Sequence, residues 1–241
     1  MKNFEKIDIL GAKVANLTID EIVDILIENI KTKSTTSVFT PNSEIIYNFH
    51  KNTELMNILN SADILSADGI GVVMAAKILK TPLKGRAAGF DIATALIARA
   101  VSENFSFFFF GGKEGVAELA KANLLEKYPS IKISGTQNGY SIDGAVENIR
   151  KSNADVVFVC LGAEKQERWI YENKDKLAGK IFLGIGGSLD VFAGTAKRAP
   201  NIFIKLNLEW FYRLLKQPSR FVRMLALPKF IIKVALCDRK L

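Results

Sequence analysis

Cysteine and histidine are almost missing from this chain: two Cys, Cys160 and Cys237, and one His, His50. The cysteines lie far apart and form neither a disulfide nor a metal-binding spacing. A reducing, cytoplasmic compartment fits such usage better than secretion. No Asp-x-Asp pair occurs and His50 stands alone, so the sequence offers no ready metal ligands and no metal or other cofactor is expected. Apolar runs stop well short of the roughly 18 residues that a membrane-spanning helix needs. The N-terminus, Met1 to Asp8, is too charged for a signal peptide. No internal repeat or low-complexity segment is present. What remains is globular composition, 49% hydrophobic with 24% charged residues over 241 positions.

The net charge of +8 is unevenly placed. Residues from Lys197 onward hold 11 Lys and Arg against 2 Asp and Glu, while residues 1–196 hold 22 against 23. A basic tail on a near-neutral body implies a local anionic partner: nucleic acid, a membrane surface or substrate phosphates. In that tail Trp210, Phe211, Tyr212, Phe221, Phe230, Ile231 and Ile232 alternate with cations and are broken by Pro218 and Pro228. This pattern describes short amphipathic helices at a membrane interface; a packed C-terminal helix is the alternative. Nucleic acid is not expected, because its binding arms rarely carry so many aliphatic residues. The expected division is a catalytic α/β domain over 1–195 and an appendage over 196–241.

Along the body, strand and helix patterns alternate. Ile7 to Leu17 reads as a hairpin, followed by a capped helix to about Lys31. Strands are expected at 37–40, 62–67, 105–110, 131–134, 155–161 and 181–185, each leading into a loop or helix. Five or six such strands imply a mainly parallel sheet with helices on both faces. In such sheets ligands bind at the C-terminal strand ends.

Polar residues gather at those ends. Asp68 follows a strand and precedes Gly69 and a helix, where it can act as a general base or simply as a cap. Thr40 and Asn42 flank Pro41 at a second junction, again as ligand groups or caps. Arg86, in a loop with Gly85 and Gly89, suits a phosphate or carboxylate. Gly111 and Gly112 form a Gly-rich turn of the kind that can cradle phosphates, although they match no full nucleotide fingerprint. Gln166 and Glu167 can hold sugar or ribose hydroxyls, or populate a first helical turn. Arg220 and Arg223, one turn apart, with Arg213 suit a diphosphate.

Taken in order, Thr40-Pro-Asn-Ser-Glu44, Ser66-Ala-Asp-Gly-Ile-Gly71, Arg86 with Gly89, Phe110-Gly-Gly112, Leu161-Gly-Ala-Glu-Lys-Gln-Glu167, Gly186-Gly-Ser-Leu-Asp190, Arg198-Ala-Pro200 and Leu208-Glu-Trp-Phe-Tyr-Arg-Leu214 resemble the WecG/TagA/CpsF glycosyltransferases. The tail motif places the chain nearest the wall teichoic acid members. The resemblance implies a Rossmann-like sheet of the GT-E type. It also implies inverting, metal-independent transfer of N-acetylmannosamine from a UDP donor to N-acetylglucosamine on undecaprenyl diphosphate, with a β-1,4 linkage. Asp68 is then the base; Thr40, Asn42 and Gln166 line the sugar site; Arg86 contacts phosphate; and Arg213, Arg220 and Arg223 close over the site when the tail docks on the inner face of the membrane. An oligomer through the core is a further expectation. UDP-N-acetylmannosaminuronic acid or UDP-glucose is the alternative donor, and a membrane-docked nucleotide-binding module is the non-enzymatic alternative. One departure stands out: Glu164 occupies a place where the family usually has Pro.

Overall fold

The computed structural model describes residues 3–216, 218 and 221–238. The chain opens on an antiparallel hairpin, β1 (Lys6–Ile9) and β2 (Ala12–Ala15). Leu10 and Gly11 turn it with φ of 53° and 92°, the left-handed pair that matches the twist of a two-residue hairpin. Thr18 and Glu21 then form a capping box that starts the helix Ile19–Lys31.

Six strands follow: β3 (Thr36–Phe39), β4 (Ile64–Leu65), β5 (Ser106–Gly111), β6 (Lys132–Gln137), β7 (Val156–Cys160) and β8 (Ile181–Gly184). They form one sheet in the order β4-β3-β8-β7-β5-β6. Every neighbouring pair is parallel. The unbroken apolar strands explain why both faces are covered. Phe107, Phe109 and Phe158 enter one core with the helices Ile19–Lys31, Gly89–Glu103 and Val116–Lys127. Phe108, Phe110 and Val157, of opposite pleat, enter a second core with the helices Ser43–Phe49, Ile70–Ile78 and Lys165–Asn173. The α/β architecture with a parallel sheet agrees with the sequence reading.

Two local expectations change. Residues 53–60, unassigned from sequence, form the helix Thr53–Asn60, capped by Asn52 at Leu55 N–H. Strand β6 runs through Gly135, which the pattern suggested as loop. The register skips Ser134, and a Cβ on Gly135 would lie 2.6 Å from the Phe108 ring, so this glycine admits the ring rather than ending the strand.

The N-terminal strand ends are stapled. Asp63 accepts from Ser37 N–H and Oγ at 2.8 and 2.9 Å, and Asp155 accepts from Ser106 N–H and Oγ at 2.9 and 3.0 Å. Beyond β8, the short helices Ser188–Phe192, Asn201–Lys205, Glu209–Lys216 and Phe221–Met224 lead to the last described helix, Ala226–Asp238. That helix buries Phe230 and Val234 completely in the second core, against the helices Ser43–Phe49 and Ile70–Ile78.

Candidate active site

At the C-terminal ends of β3 and β8, Thr40 is buried and its Oγ1 donates to the Gly184 carbonyl at 2.9 Å. A Cβ on Gly89 would lie 2.8 Å from that oxygen, so the glycine lets the helix Gly89–Glu103 begin directly on Thr40. Asn42 is a helix cap: its Oδ1 accepts from Ile45 N–H at 3.0 Å. Its two amide hydrogens are left for other partners.

Asp68 follows β4 in a segment tied on both sides. Ser66 N–H donates to Phe39 carbonyl at 2.9 Å, Asp68 N–H to Pro41 carbonyl at 3.4 Å, and Ala87 N–H to Ala67 carbonyl at 2.9 Å. The N-cap position of the next helix is Gly69, at φ +90°. The carboxylate is half-buried and close enough to Arg86 to act on its charge.

Arg86 is gripped from two sides. Its Nη2 donates to Asp91 Oδ2 at 2.9 Å and its Nη1 to Glu209 Oε2 at 3.0 Å. Burial opposes its charge, but Glu209, Asp91 and Asp68 outweigh this and hold the guanidinium above its ordinary range. Asp91 also accepts from Arg198 Nη2 at 2.5 Å, and Arg198 lies 4.5 Å over the Phe90 ring, which stacks on Phe192 at 4.8 Å. Sequence reasoning assigned no role to Asp91, Arg198 or Glu209. Their presence inside or beside the family motifs was the available signal.

Gln166 and Glu167 open the helix Lys165–Asn173, and both are buried. Gln166 Oε1 accepts from Gly186 N–H at 2.9 Å, and its Nε2 donates to Glu167 Oε1 at 2.8 Å. Glu167 Oε2 is buried and has no hydrogen-bond partner. Burial pushes the Glu167 carboxyl above its ordinary range, with the Gln166 bond opposing. Just before this helix Glu164 takes φ +69° and ψ −50°. Proline, locked near φ −65°, cannot adopt that backbone, so this loop has a shape closed to a proline at position 164.

A second junction lies between β5 and β7. A Cβ on Gly111 would sit 2.3 Å from the Cys160 carbonyl oxygen, and Gly112 N–H donates to that carbonyl at 3.1 Å. The Gly-Gly turn thus permits close backbone approach, and the Gly112 amide is already committed. Beside it is an open cavity of about 400 Å³ lined by Lys113, Glu114, Asn138, Tyr140 and Ser141. Tyr140, in the loop after β6, is 77% exposed.

In the tail, Arg213 lies on the helix Glu209–Lys216 and Arg223 on Phe221–Met224. Arg220 and the side chains of Arg213 and Arg223 lie outside the described residues. Trp210, Leu214, Phe221, Leu225 and Ile232 are among the residues lining an apolar groove of about 500 Å³. One wall is Leu227, whose Cδ1 lies 2.6 Å from where a Cβ on Gly71 would be, three residues from Asp68. Among the described residues no helix is long and apolar enough to cross a membrane, and no three His, Cys, Asp or Glu side chains gather as metal ligands.

The chain is similar to proteins named N-acetylglucosaminyldiphosphoundecaprenol N-acetyl-beta-D-mannosaminyltransferase. That of Bacillus spizizenii is 38% identical over 84% of this chain and 79% of the relative. That of Bacillus subtilis is 38% identical over 82% and 78%. That of Staphylococcus aureus strain MRSA252 is 37% identical over 99% and 96%. The glycosyl transferase WecG/TagA/CpsF family matches residues 7–241, and the chain belongs to that family.

Proposed function

We propose that the chain transfers N-acetylmannosamine from its UDP conjugate to the 4-hydroxyl of N-acetylglucosamine on undecaprenyl diphosphate, with inversion and a β-1,4 product, in wall teichoic acid linkage-unit synthesis. The observation that carries this reading is Asp68 at the C-terminal edge of the sheet, half-buried at a strand-to-helix junction and within electrostatic reach of Arg86. The names of the relatives supply the sugar and the lipid acceptor. Asp68 takes the proton of the attacking hydroxyl as its oxygen bonds to the anomeric carbon and the bond to UDP breaks. Arg86 meets the charge on the leaving diphosphate, and the tail arginines Arg213, Arg220 and Arg223 complete the phosphate site without a metal. Thr40 and the Gln166–Glu167 pair shape the sugar site through the β8 end, and Asn42 offers it an amide. The cavity beside Gly111 and Gly112, with Tyr140 as a stacking surface, suits the nucleoside.

The exposed apolar residues of the basic tail support peripheral docking on the inner face of the membrane. The test is acceptor-dependent release of UDP from UDP-N-acetylmannosamine in EDTA, for the native chain and Asp68→Asn. Release is expected to persist in EDTA and to fall by roughly 10²- to 10⁴-fold in a mutant that keeps its fold. An Asp68→Asn chain with native turnover excludes the base. Turnover only with UDP-N-acetylmannosaminuronic acid or UDP-glucose replaces the donor.

A further inference from the structure

Arg86 sits in the loop between the helices Ile70–Ile78 and Gly89–Glu103, with no regular structure of its own to hold it. Two carboxylates do so, one from nearby in the chain and one from the tail. Asp91 lies in the first turn of the helix Gly89–Glu103, and it takes Arg86 with one oxygen and Arg198 with the other. The stacked pair Phe90 and Phe192 fixes the far side of Arg198. Glu209 comes from the first turn of a tail helix and takes the other terminal nitrogen of Arg86. The Arg86 and Glu209 side chains are only 15% and 14% exposed, so this pair is screened far less than a surface pair. Two of the five guanidinium donors are used in these bonds, which leaves three for a phosphate.

We propose that Asp91 and Glu209 are positioning residues, one from the body and one from the tail, that together hold Arg86 in register with Asp68. This rests on the transfer reading above and adds a consequence to it. The tail supplies more than membrane affinity, because Arg86 is fully oriented only when Glu209 is seated on it. Transfer is therefore coupled to tail docking through one ion pair.

The test measures kcat and the donor KM in the full chain for the native protein, Asp91→Asn, Glu209→Gln and the double variant, with thermal midpoints alongside. Glu209→Gln, on a tail helix, is the variant least exposed to folding failure. Each single change is expected to lower kcat by about ten- to a hundredfold, since a small misplacement of a catalytic group has that cost. The double variant is expected to lose little more than the worse single, because both act through the same guanidinium. Losses that multiply, or native kcat in Glu209→Gln, overturn the proposal. If the native chain binds UDP but transfers none of the sugars tried, the transfer reading is what has failed. UDP affinity then becomes the readout: weaker binding in Glu209→Gln supports the positioning role, and unchanged binding removes it. A native chain that binds no UDP overturns both.

Discussion

Gln166 donates its amide N–H to Glu167 at 2.8 Å while accepting the Gly186 N–H at 2.9 Å, so one side chain ties the loop leaving β8 to a buried carboxyl. Glu167 is 1% exposed and one of its oxygens has no partner. Its folded-state pKa is raised by burial, so the folded protein binds a proton more tightly than the unfolded one. That contribution is complete below the unfolded carboxyl value and is lost as pH rises through the folded one. Glu167→Gln keeps an acceptor for Gln166 and removes the charge. We expect it to be more stable than the native chain above neutral pH, with the gap narrowing toward pH 4. Glu167→Ala strands the Gln166 donor and should cost about 2–3 kcal/mol in urea titrations.

Asp155 gives the opposite slope. Desolvation raises its pKa, but the bonds from Lys33 and Ser106 prevail and hold it below the ordinary carboxylate range. A depressed folded pKa means stability present above the unfolded value and lost as pH falls through the folded one. Thermal midpoints of the native chain should therefore drop on the acid side below about pH 4, the ordinary Asp range. In Asp155→Asn the same arm should be flatter, from a lower starting stability. An equally steep arm in the variant assigns acid sensitivity elsewhere.

Gly111 and Gly144 both have positive φ, at 130° and 79°, yet they should respond differently to alanine. At Gly144 nothing lies within 4 Å of an added Cβ, so only the backbone preference is lost, about 1 kcal/mol. At Gly111 the Cβ meets the Cys160 carbonyl at 2.3 Å and would force β5 from β7. We expect Gly111→Ala to destabilise by more than about 3 kcal/mol or to leave the chain insoluble. Similar denaturation midpoints for the two variants would show that the strands yield.

Phe230 is fully buried between the last helix and the second core. Phe230→Ala should cost about 3–5 kcal/mol if that helix stays docked in solution. A chain ending near Thr195 is expected to remain folded, with a lowered thermal midpoint and poor turnover. An unchanged midpoint in both proteins would mean that the last helix is undocked in solution, and full activity in the shorter one would remove the tail from the reaction.

Periodicity and strand-end punctuation made much of the architecture legible in sequence. The Phe107–Phe110 run, with no polar alternation, identified a strand covered on both faces. Asp68 before Gly69 marked a strand-to-helix junction, and the tail announced its basic, amphipathic character through composition. Gly135 misled, because a glycine that admits a neighbouring ring and a glycine that ends a strand look alike without the ring in view.

Local sequence also left Asn42, Thr40 and Gln166 each with two readings, and the tertiary structure specified what their side chains bond. Asn42 caps a helix, Thr40 bonds β8, and Gln166 spans Glu167 and Gly186. The sequence by itself determined the alternation of strands and helices, the junction that carries Asp68, and the placing of positive charge in the tail, since these depend on neighbours within a few positions. Only the tertiary structure decided that Asp91 and Glu209 converge on Arg86. Asp91 is five positions from Arg86, but Glu209 is 123 positions away, and bringing it there depends on where the tail packs, which a local pattern does not encode.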